Sequence, residues 1–488
     1  MKGCCCNMSV FSEKLQEYIQ KSNMKIAALS KLSGVERSFI QKMLTGERIP
    51  GDPAVLQQLS EVLMLTPSQH RILSEAYAIS KMGEPTYYRR VLVKRLIEES
   101  GSFIQQPPVL RSHFSPPGFQ RPDVLPLTGK AAVADTLRLL IEEELGTEAP
   151  CIKAVLQPEC TATDVLLQYA RTCPLLSIEH IVCFDSELQY QKENKYNLHC
   201  LQRALSFLFS SCHYSPYFYY ESISAKSGKT ALFPWILLGK GWALTISQDE
   251  ERALIVSTPD AISLYTGLFE EIRTECLPVL EHNARQHYWN LESWAPLRQE
   301  MTYSLQFEPC LGFFFTMDMA KKQIYRDHAQ GEVLLSFLEQ RQKQITLLEG
   351  TRKNTSFFAP EGLDRFLETG LVAELPEGSY APLPKAYRAE LLRRMMVCIQ
   401  NGSYTPYLIK TAKFRLSDKL GFLSTGSQQV TCTCLHPLHG FTTLQLHEKS
   451  VAYSFCDFFE YLRETGLVYS KEESESLLRS RLKQVFNG

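Results

Sequence analysis

Long hydrophobic runs are missing from this sequence of 488 residues. A transmembrane helix needs about 18 consecutive apolar residues, and residues 233–239 (FPWILLG) are among the longest apolar stretches here. Residues 1–8 also lack the hydrophobic core of a signal peptide. These absences exclude a membrane-spanning protein and predict a cytoplasmic one with no membrane partner.

A regular spacing of cysteines is missing as well, although the chain has 15 of them. Disulfide frameworks stabilise short secreted chains that cannot bury a full core, whereas a chain of this length can bury one. We therefore expect most of the cysteines to be reduced and buried. Cys4, Cys5 and Cys6 lie within residues 1–8, which we interpret as a tail or an alternative start.

A large excess of either charge is missing too, since the net charge is −1. The charge is uneven along the chain, because residues 1–100 contain 14 Lys and Arg against 10 Asp and Glu and the remainder is negative. The basic part of a chain is the part expected to meet phosphates. The excess is mild, so one such module would bind DNA weakly and a homodimer is expected.

Residues 25–50 (KIAALSKLSGVERSFIQKMLTGERIP) have the pattern of two short helices joined by a tight turn. At a helical period the first helix turns Ile26, Leu29 and Leu32 inward. Gly34 supplies the positive φ that a sharp bend requires. Two helices this close in sequence form a helix-turn-helix. The inward residues of the second helix are Phe39, Ile40, Met43 and Leu44.

The same segment resembles the xenobiotic-response-element (XRE; Cro/cI-type, lambda-repressor-like) family of DNA-binding domains. The family pattern is a Leu and a small residue, Gly-Val, an Ile five residues further on, and Gly-x-Arg-x-Pro. Two positions depart from it: Ser30 stands where Ala is usual, and Ile26 stands where a phosphate-binding Gln is frequent. The residues that fit the pattern are Leu29, Ser30, Gly34, Val35, Ile40 and 46–50 (GERIP).

The resemblance implies a compact domain of five short helices, and the flanking sequence agrees with it. Asp52 and Pro53 predict a cap followed by the first residue of a helix. Residues 66–69 (TPSQ) predict a capping box before another helix. A generic pair of helices in a bundle is the alternative. The predicted inward residues of these flanking helices are Val10, Phe11, Leu15, Tyr18, Ile19, Leu56, Leu59, Leu63, Ile72, Leu73, Ala76 and Tyr77.

The whole chain is predicted to be multi-domain, with an all-α lambda-repressor-like N-terminal five-helix domain followed by an α/β and an α+β C-terminal region. Prolines cluster between residues 107 and 126 and predict a stiff linker, after which helices and strands alternate as in an α/β domain. No repeat period is visible. The predicted segments are 1–8 (tail), 9–80 (helix-turn-helix DNA-binding domain), 81–128 (connecting helix and proline-rich linker), 129–305 (α/β sensor domain) and 306–488 (α+β domain).

Two details of the last segment are predicted from its pattern. Residues 311–317 (LGFFFTM) read as a strand because they are apolar, aromatic and short. Residues 421–455 read as consecutive strands, followed by two helices between residues 457 and 486.

Complete catalytic motifs are absent. Residues 227–230 (SGKT) lack the first Gly of a phosphate-binding loop, which would fall at Ile223. The order of elements in residues 131–184 resembles half of a phospholipase-D-like domain, whose active members need His-x-Lys-x-x-x-x-Asp. His447 and Lys449 fit, but Ser454 stands at the Asp position. We therefore predict that the chain is not an enzyme and has no catalytic residue and no cofactor.

The densest set of potential metal ligands is Cys432, Cys434, His436 and His439. Zinc binds four nitrogen or sulfur donors, and this run offers some of them. In a strand, however, Cys432 and Cys434 lie on one face, where cysteine serves as a small core residue. No C-x-x-C pair exists elsewhere, so we favour the strand and predict no metal.

Aromatic residues are dense between residues 214 and 220 (YSPYFYY). Such side chains line pockets for organic ligands, and they also fill ordinary cores. We favour the core for most of them.

The function predicted by the resemblance is that of a sequence-specific DNA-binding transcriptional regulator. Its recognition helix, residues 36–45, enters the major groove of double-stranded DNA. Arg37 suits guanine O6 and N7, Gln41 suits adenine N6 and N7, and Glu36 can accept from cytosine N4. The residues that the family pattern turns toward DNA are Glu36, Arg37, Ser38, Gln41, Lys42 and Thr45.

Lys25, Lys42 and Arg48 are the predicted phosphate contacts. The large C-terminal region is predicted to dimerise the chain, to bind a small-molecule or protein effector, or both. The alternative is an enzyme or protein-interaction module of unknown activity that uses the N-terminal domain for targeting or autoregulation.

Overall fold

The computed structural model divides the chain into two compact units, residues 1–92 and 93–488. Each unit has its own core. The described residues are 8–105, 122–186, 195–222, 232–278, 280–282, 302–328, 331–332, 334–336, 338–339, 353–373, 375, 378–425, 429–436, 440–446 and 448–487.

The first unit is built from short helices whose ends follow local signals. Ser9 caps the first helix by accepting a hydrogen bond from the Ser12 backbone N–H. Thr66 and Gln69 form the predicted capping box, and Pro67 is the first residue of its helix. The helices are α1 (Val10–Ser22), α2 (Ile26–Ser33), α3 (Arg37–Leu44), α4 (Ala54–Val62), α5 (Pro67–Met82) and α6 (Glu84–Gln105), of which the residues from 93 onward belong to the second unit.

One apolar core joins the first five helices. Phe11, Leu29, Ile40 and Leu59 come from four different helices and have no exposed surface. Phe11 packs edge-on against Tyr77 of α5, with ring centroids 5.8 Å apart. The core therefore depends on contacts between helices, because isolated helices this short are marginal in water.

Three predicted inward residues are exposed. Leu32 has 66% of its surface exposed, and Val10 and Ile72 have 40% each. In α2 only Leu29 is fully buried, because so short a helix presents a narrow stripe to its neighbours and Leu32 lies at its edge. The cap before α4 also differs by one residue: Asp52 accepts from the Ala54 backbone N–H at 2.8 Å, and Pro53 precedes the helix.

The second unit contains two mixed sheets. The strands of the first are β1 (Val124–Thr128), β2 (Cys151–Val155), β3 (Ser177–Asp185), β4 (His213–Glu221), β5 (Trp235–Gly239), β6 (Trp242–Ile246), β7 (Arg252–Val256) and β8 (Leu277–Pro278). Their order is β1-β7-β6-β5-β2-β3-β4-β8. Strands β2, β3 and β4 are parallel, and the other pairs are antiparallel.

Helices connect and cover this sheet. Residues 259–275 pack against β5 and β6. The helices are α7 (Lys130–Leu145), α8 (Thr161–Ala170), α9 (Lys195–Leu208) and α10 (Pro259–Glu275).

The second sheet follows along the chain. Its strands are β9 (Leu280–His282), β10 (Thr302–Gln306), β11 (Asn354–Phe358), β12 (Tyr404–Leu408), β13 (Leu420–Thr425), β14 (Gln429–His436) and β15 (Gly440–Leu446). Their order is β12-β11-β10-β13-β14-β15-β9. The accompanying helices are α11 (Met317–Gln323), α12 (Pro360–Thr369), α13 (Lys385–Gln400), α14 (Lys449–Leu462) and α15 (Lys471–Asn487).

The two sheets share one topology. From the β1 edge the first reads β1-β7-β6-β5-β2-β3-β4, and from the β9 edge the second reads β9-β15-β14-β13-β10-β11-β12. The parallel pairs match as well, since β10, β11 and β12 run parallel and the other pairs are antiparallel. The fold therefore contains an internal repeat, although the sequence shows no repeat period. One pair of equivalent connections differs, because α9 lies between β3 and β4 while α12 and α13 lie between β11 and β12.

Several predicted strands and loops are different in the structure. Residues 311–313 form a 3₁₀ turn, and α11 follows once Thr316 accepts from the Met319 backbone N–H at 3.1 Å. Residues 449–455 are the start of α14, because Glu448 accepts from the backbone N–H groups of Ser450 and Val451. Residues 124–128, at the end of the segment assigned to the linker, pair with β7 as β1.

Two predictions about composition can be checked against the described residues. The described cysteines are free thiols, and most of them are buried. In the part of the chain that the structure describes, every helix is too short or too polar to span a bilayer.

Candidate nucleic-acid interface

The turn between α2 and α3 is held by hydrogen bonds that use its small residues. Gly34 has φ +72° and donates its N–H to the Ser30 carbonyl at 3.0 Å. The Ser30 hydroxyl donates to the Val35 carbonyl at 2.7 Å. The Val35 N–H donates to the Ser33 hydroxyl at 3.3 Å. Ser30 therefore adds a bond across the turn that an alanine there would lack, which fixes α3 relative to α2.

The loop after α3, residues 46–50, is also fixed in position by contacts at both of its ends. Gly46 has φ +78°, and a Cβ there would come within 3.4 Å of the Ser9 backbone nitrogen. The Tyr77 hydroxyl on α5 donates to the Pro50 carbonyl at 2.9 Å. The Gly-x-Arg-x-Pro pattern thus places Arg48 on a loop fixed at both ends.

Helix α3 turns its apolar and polar residues in opposite directions. Ile40 and Met43 are fully buried in the core. Arg37, Ser38 and Gln41 are exposed on the outer face. Arg37 and Gln41 are one helical turn apart, so both side chains can reach the same groove of a duplex.

Three of the predicted DNA-facing residues bind one another or the helix itself. Glu36 precedes the helix and makes no side-chain bond to a backbone N–H. Instead its carboxylate accepts a short hydrogen bond from the Ser38 hydroxyl. The Thr45 hydroxyl donates to the Lys42 carbonyl at 3.2 Å. In order to accept a hydrogen bond from a base, the Glu36 carboxylate must therefore either break its hydrogen bond from Ser38 or accept both bonds at once.

The basic residues around the turn are left without carboxylate partners. By contrast, Lys14 and Lys21 on α1 both bind Glu17, at 2.9 and 2.6 Å. Their hydrogen bonds, that of Lys14 first, lower the pKa of Glu17 to about 2. Around the turn, the cations that form no ion pair with a described residue are Lys25, Lys31, Arg37, Lys42 and Arg48.

Lys31 and Tyr77 were not among the predicted site residues. Lys31 is an exposed cation in the last turn of α2, and its charge beside the turn was the available signal. Tyr77 was predicted only as a core residue, because its hydrogen bond to residue 50 joins distant parts of the sequence.

The other candidate sites from the sequence are the cluster of cysteines and histidines and the aromatic run, and neither forms a metal centre in the described residues. Cys432 is fully buried in β14, and burial raises the pKa of its thiol to about 12. The side chains of Cys434, His436 and His439 lie outside the described residues, and the described part of the chain contains no group of three potential metal ligands. In β4, Tyr214 and Phe218 are buried, as the core interpretation predicts.

The partial His-x-Lys motif serves a structural purpose. Glu448 lies between its two members and is buried. Its carboxylate caps α14 and also accepts from the Tyr220 hydroxyl of β4 at 2.8 Å. Ser454 donates to the Ser450 carbonyl within the same helix. This segment therefore joins the two sheets.

Comparisons with known proteins add little to this geometry. No protein-family model and no curated protein matches the chain. The chain is similar to a crystal structure of phosphatidylserine synthase from Haemophilus influenzae Rd KW20, with 10% identity, 74% of this chain and 94% of that chain covered, and a TM-score of 0.25. It is also similar to TrmBL2, an archaeal chromatin protein, with 13% identity, 57% and 96% covered, and a TM-score of 0.22. Neither TM-score is high enough to carry an argument about fold or function.

Proposed function

We propose that this protein is a sequence-specific, DNA-binding transcriptional regulator whose first unit is a lambda-repressor-like helix-turn-helix domain. The observation that carries the proposal is the cluster of unpaired cations around the α2–α3 turn, beside the exposed Arg37 and Gln41 of α3. Basic side chains with no carboxylate beside them leave a positive potential at this surface. Phosphates of a duplex supply the missing partners and release counterions as they do so.

In the proposed complex α3 lies in the major groove. Arg37 donates to guanine O6 and N7, Gln41 pairs with adenine N6 and N7, and Glu36 accepts from cytosine N4. Ser38 and Thr45 lie on the same side of the helix, and Lys25, Lys42 and Arg48 contact the phosphates.

Two copies bind two half-sites about one helical turn of DNA apart. The region from residue 93 onward then dimerises the chain, binds an effector, or both.

The test is binding of the full chain to the DNA upstream of its own coding sequence, measured at two salt concentrations. We expect a discrete site, affinity that falls steeply with salt, and loss of about 100-fold in site preference for Arg37→Ala/Gln41→Ala, because each bidentate base contact contributes about 1–3 kcal/mol. Weak general binding should remain in that variant.

The matched control is Gln57→Ala/Arg71→Ala, which removes the same residue types from α4 and α5. It should bind like the wild type. If the α3 variant and the wild type bind alike, the recognition helix is wrong, and if neither binds a discrete site, the proposal fails.

A further inference from the structure

Helices α10 and α14 occupy equivalent places in the two sheets. Each follows the last antiparallel strand of its sheet, β7 for α10 and β15 for α14. Each also packs on the antiparallel strands of its own sheet, β5 and β6 for α10 and β13 and β14 for α14. Because the positions match, their burial can be compared directly.

The outer side of α14 is covered. Helix α9 of the first sheet packs against it, and the Asn197 amide donates to the Ser450 hydroxyl at 3.3 Å. Most residues of α14 are buried, including Phe455, Phe458 and Phe459.

The outer side of α10 is open. Phe269 is the one buried residue of this helix. Leu264 and Leu268 lie one turn apart and are 63% and 42% exposed. Gly267 is exposed in the same turn of the helix, and a Cβ there would meet nothing within 4 Å. A second helix can therefore approach closely along this stripe.

The charges on α10 are divided between its two sides. On the sheet side, Glu270 binds Lys153 of β2 and also Arg273 at 2.7 Å. Lys153 and Arg273 both lie near Glu179 of β3 as well, so these groups satisfy one another. The inner charges are therefore committed to the fold.

All the charged side chains on the outer side of α10 are acidic. Arg273, the basic residue of this helix, is already bound to Glu270. The exposed carboxylates form no ion pair within the described residues, and they are those of Asp260, Glu271 and Glu275.

We propose that the outer face of α10 is a docking surface for a basic amphipathic helix of a partner protein. The two leucines supply the apolar contact at helical spacing, and the three carboxylates supply charge complementary to lysine or arginine on the partner. A second copy of α10 is a poor occupant, because its own carboxylates would face those of the first. This inference does not depend on DNA binding.

The probe for the test is a fluorescein-labelled helical peptide of 18 residues, made of leucine on one face and lysine on the other, with a matched peptide that carries glutamate for lysine. Binding to the full chain is measured by anisotropy at two salt concentrations. We expect the basic peptide to bind in a salt-dependent manner and the acidic peptide to bind at least about tenfold more weakly.

Two variants of the full chain locate the site. Leu264→Ser/Leu268→Ser should weaken the basic peptide about tenfold or more, because apolar anchors dominate such contacts. Asp260→Asn/Glu271→Gln/Glu275→Gln should weaken it and flatten the salt dependence. The control Leu175→Ser/Leu371→Ser removes leucines that are 78% and 43% exposed elsewhere and should bind like the wild type. Urea unfolding confirms that each variant is folded.

Equal binding of both peptides, or unchanged binding by both α10 variants, would overturn the proposal. So would sedimentation showing that Leu264→Ser/Leu268→Ser dissociates a dimer of the chain, because the occupant would then be a second copy.

Discussion

The basic side chains around the α2–α3 turn differ in their neighbours from several basic side chains of the second compact unit. In residues 93–488, Lys153, Arg273, Arg365 and Arg481 each bind at least one carboxylate. Around the α2–α3 turn of the first unit, the described cations bind no carboxylate. The comparison indicates that these four cations of the second unit stabilise its fold, whereas those at the turn remain available for a partner. Each prediction below tests one side of this comparison.

The largest effect is expected at a buried histidine in the second unit. His180 is buried, and its Nε2 donates to the Leu156 carbonyl at 3.1 Å while its Nδ1 accepts from the Tyr214 hydroxyl at 2.8 Å. The Leu156 carbonyl can only accept, so Nε2 carries a proton; in the neutral imidazole Nδ1 then accepts from Tyr214. Burial lowers the pKa of His180 to about 4.

The unfolded chain takes up a proton near pH 6.5, while the folded chain resists it until about pH 4. Stability is therefore full above pH 6.5 and falls as the pH drops toward 4, by up to about 3 kcal/mol. Urea unfolding at pH 5 and pH 7.5 measures the difference. His180→Gln should flatten the profile, and His199→Gln, at an exposed position, should not. Equal pH dependence in all three proteins would contradict the assignment.

A smaller loss is expected at a paired arginine. Arg365 donates to the buried Glu308 carboxylate at 2.8 Å and to Asp418 at 3.1 Å. Arg365→Met deprives a buried carboxylate of this cation and should cost about 2 kcal/mol of unfolding free energy. Arg393→Met removes an exposed arginine from its pair with Glu390. This change should lower the unfolding free energy by only about a few tenths of a kcal/mol. Similar unfolding midpoints for the two variants would refute the distinction.

Within the first unit, the hydrogen bond across the α2–α3 turn should contribute about 1 kcal/mol to the unfolding free energy. Ser30→Ala removes the hydrogen bond to Val35 and should lower the unfolding free energy by about that amount. Ser68→Ala, which removes an exposed hydrogen bond to the Thr66 hydroxyl at 3.0 Å, is the control and should change it little because water can replace that bond. If Ser30→Ala is as stable as the wild type, the bond across the turn contributes nothing net.

The smallest stability effects are expected at the unpaired cations. Lys25→Gln, Lys42→Gln and Arg48→Gln should each change the unfolding free energy by less than about 0.5 kcal/mol. Each should also reduce the slope of log K against log salt for DNA binding by about 0.9. Lys14→Gln, which removes a paired cation, should leave the slope unchanged. An unchanged slope in all variants would remove these residues from the interface.

The sequence by itself determined the local features of this protein. Gly34, the capping box at Thr66 and the alternation of helices and strands after residue 129 predicted the turn, the start of α5 and the α/β character of the region that contains the first sheet. These signals are local, because a positive φ, a cap or a period of burial involves residues a few positions apart.

Only the tertiary structure decided which surfaces are free. Leu32 and Leu264 are both apolar residues on helices, and their exposure depends on the neighbours that lie against each helix. The shared topology of the two sheets, the hydrogen bond from Tyr77 to residue 50 and the ion pairs of Glu308 join residues far apart in sequence. The physical reason is that burial and charge pairing depend on distances in space, which a local pattern does not contain.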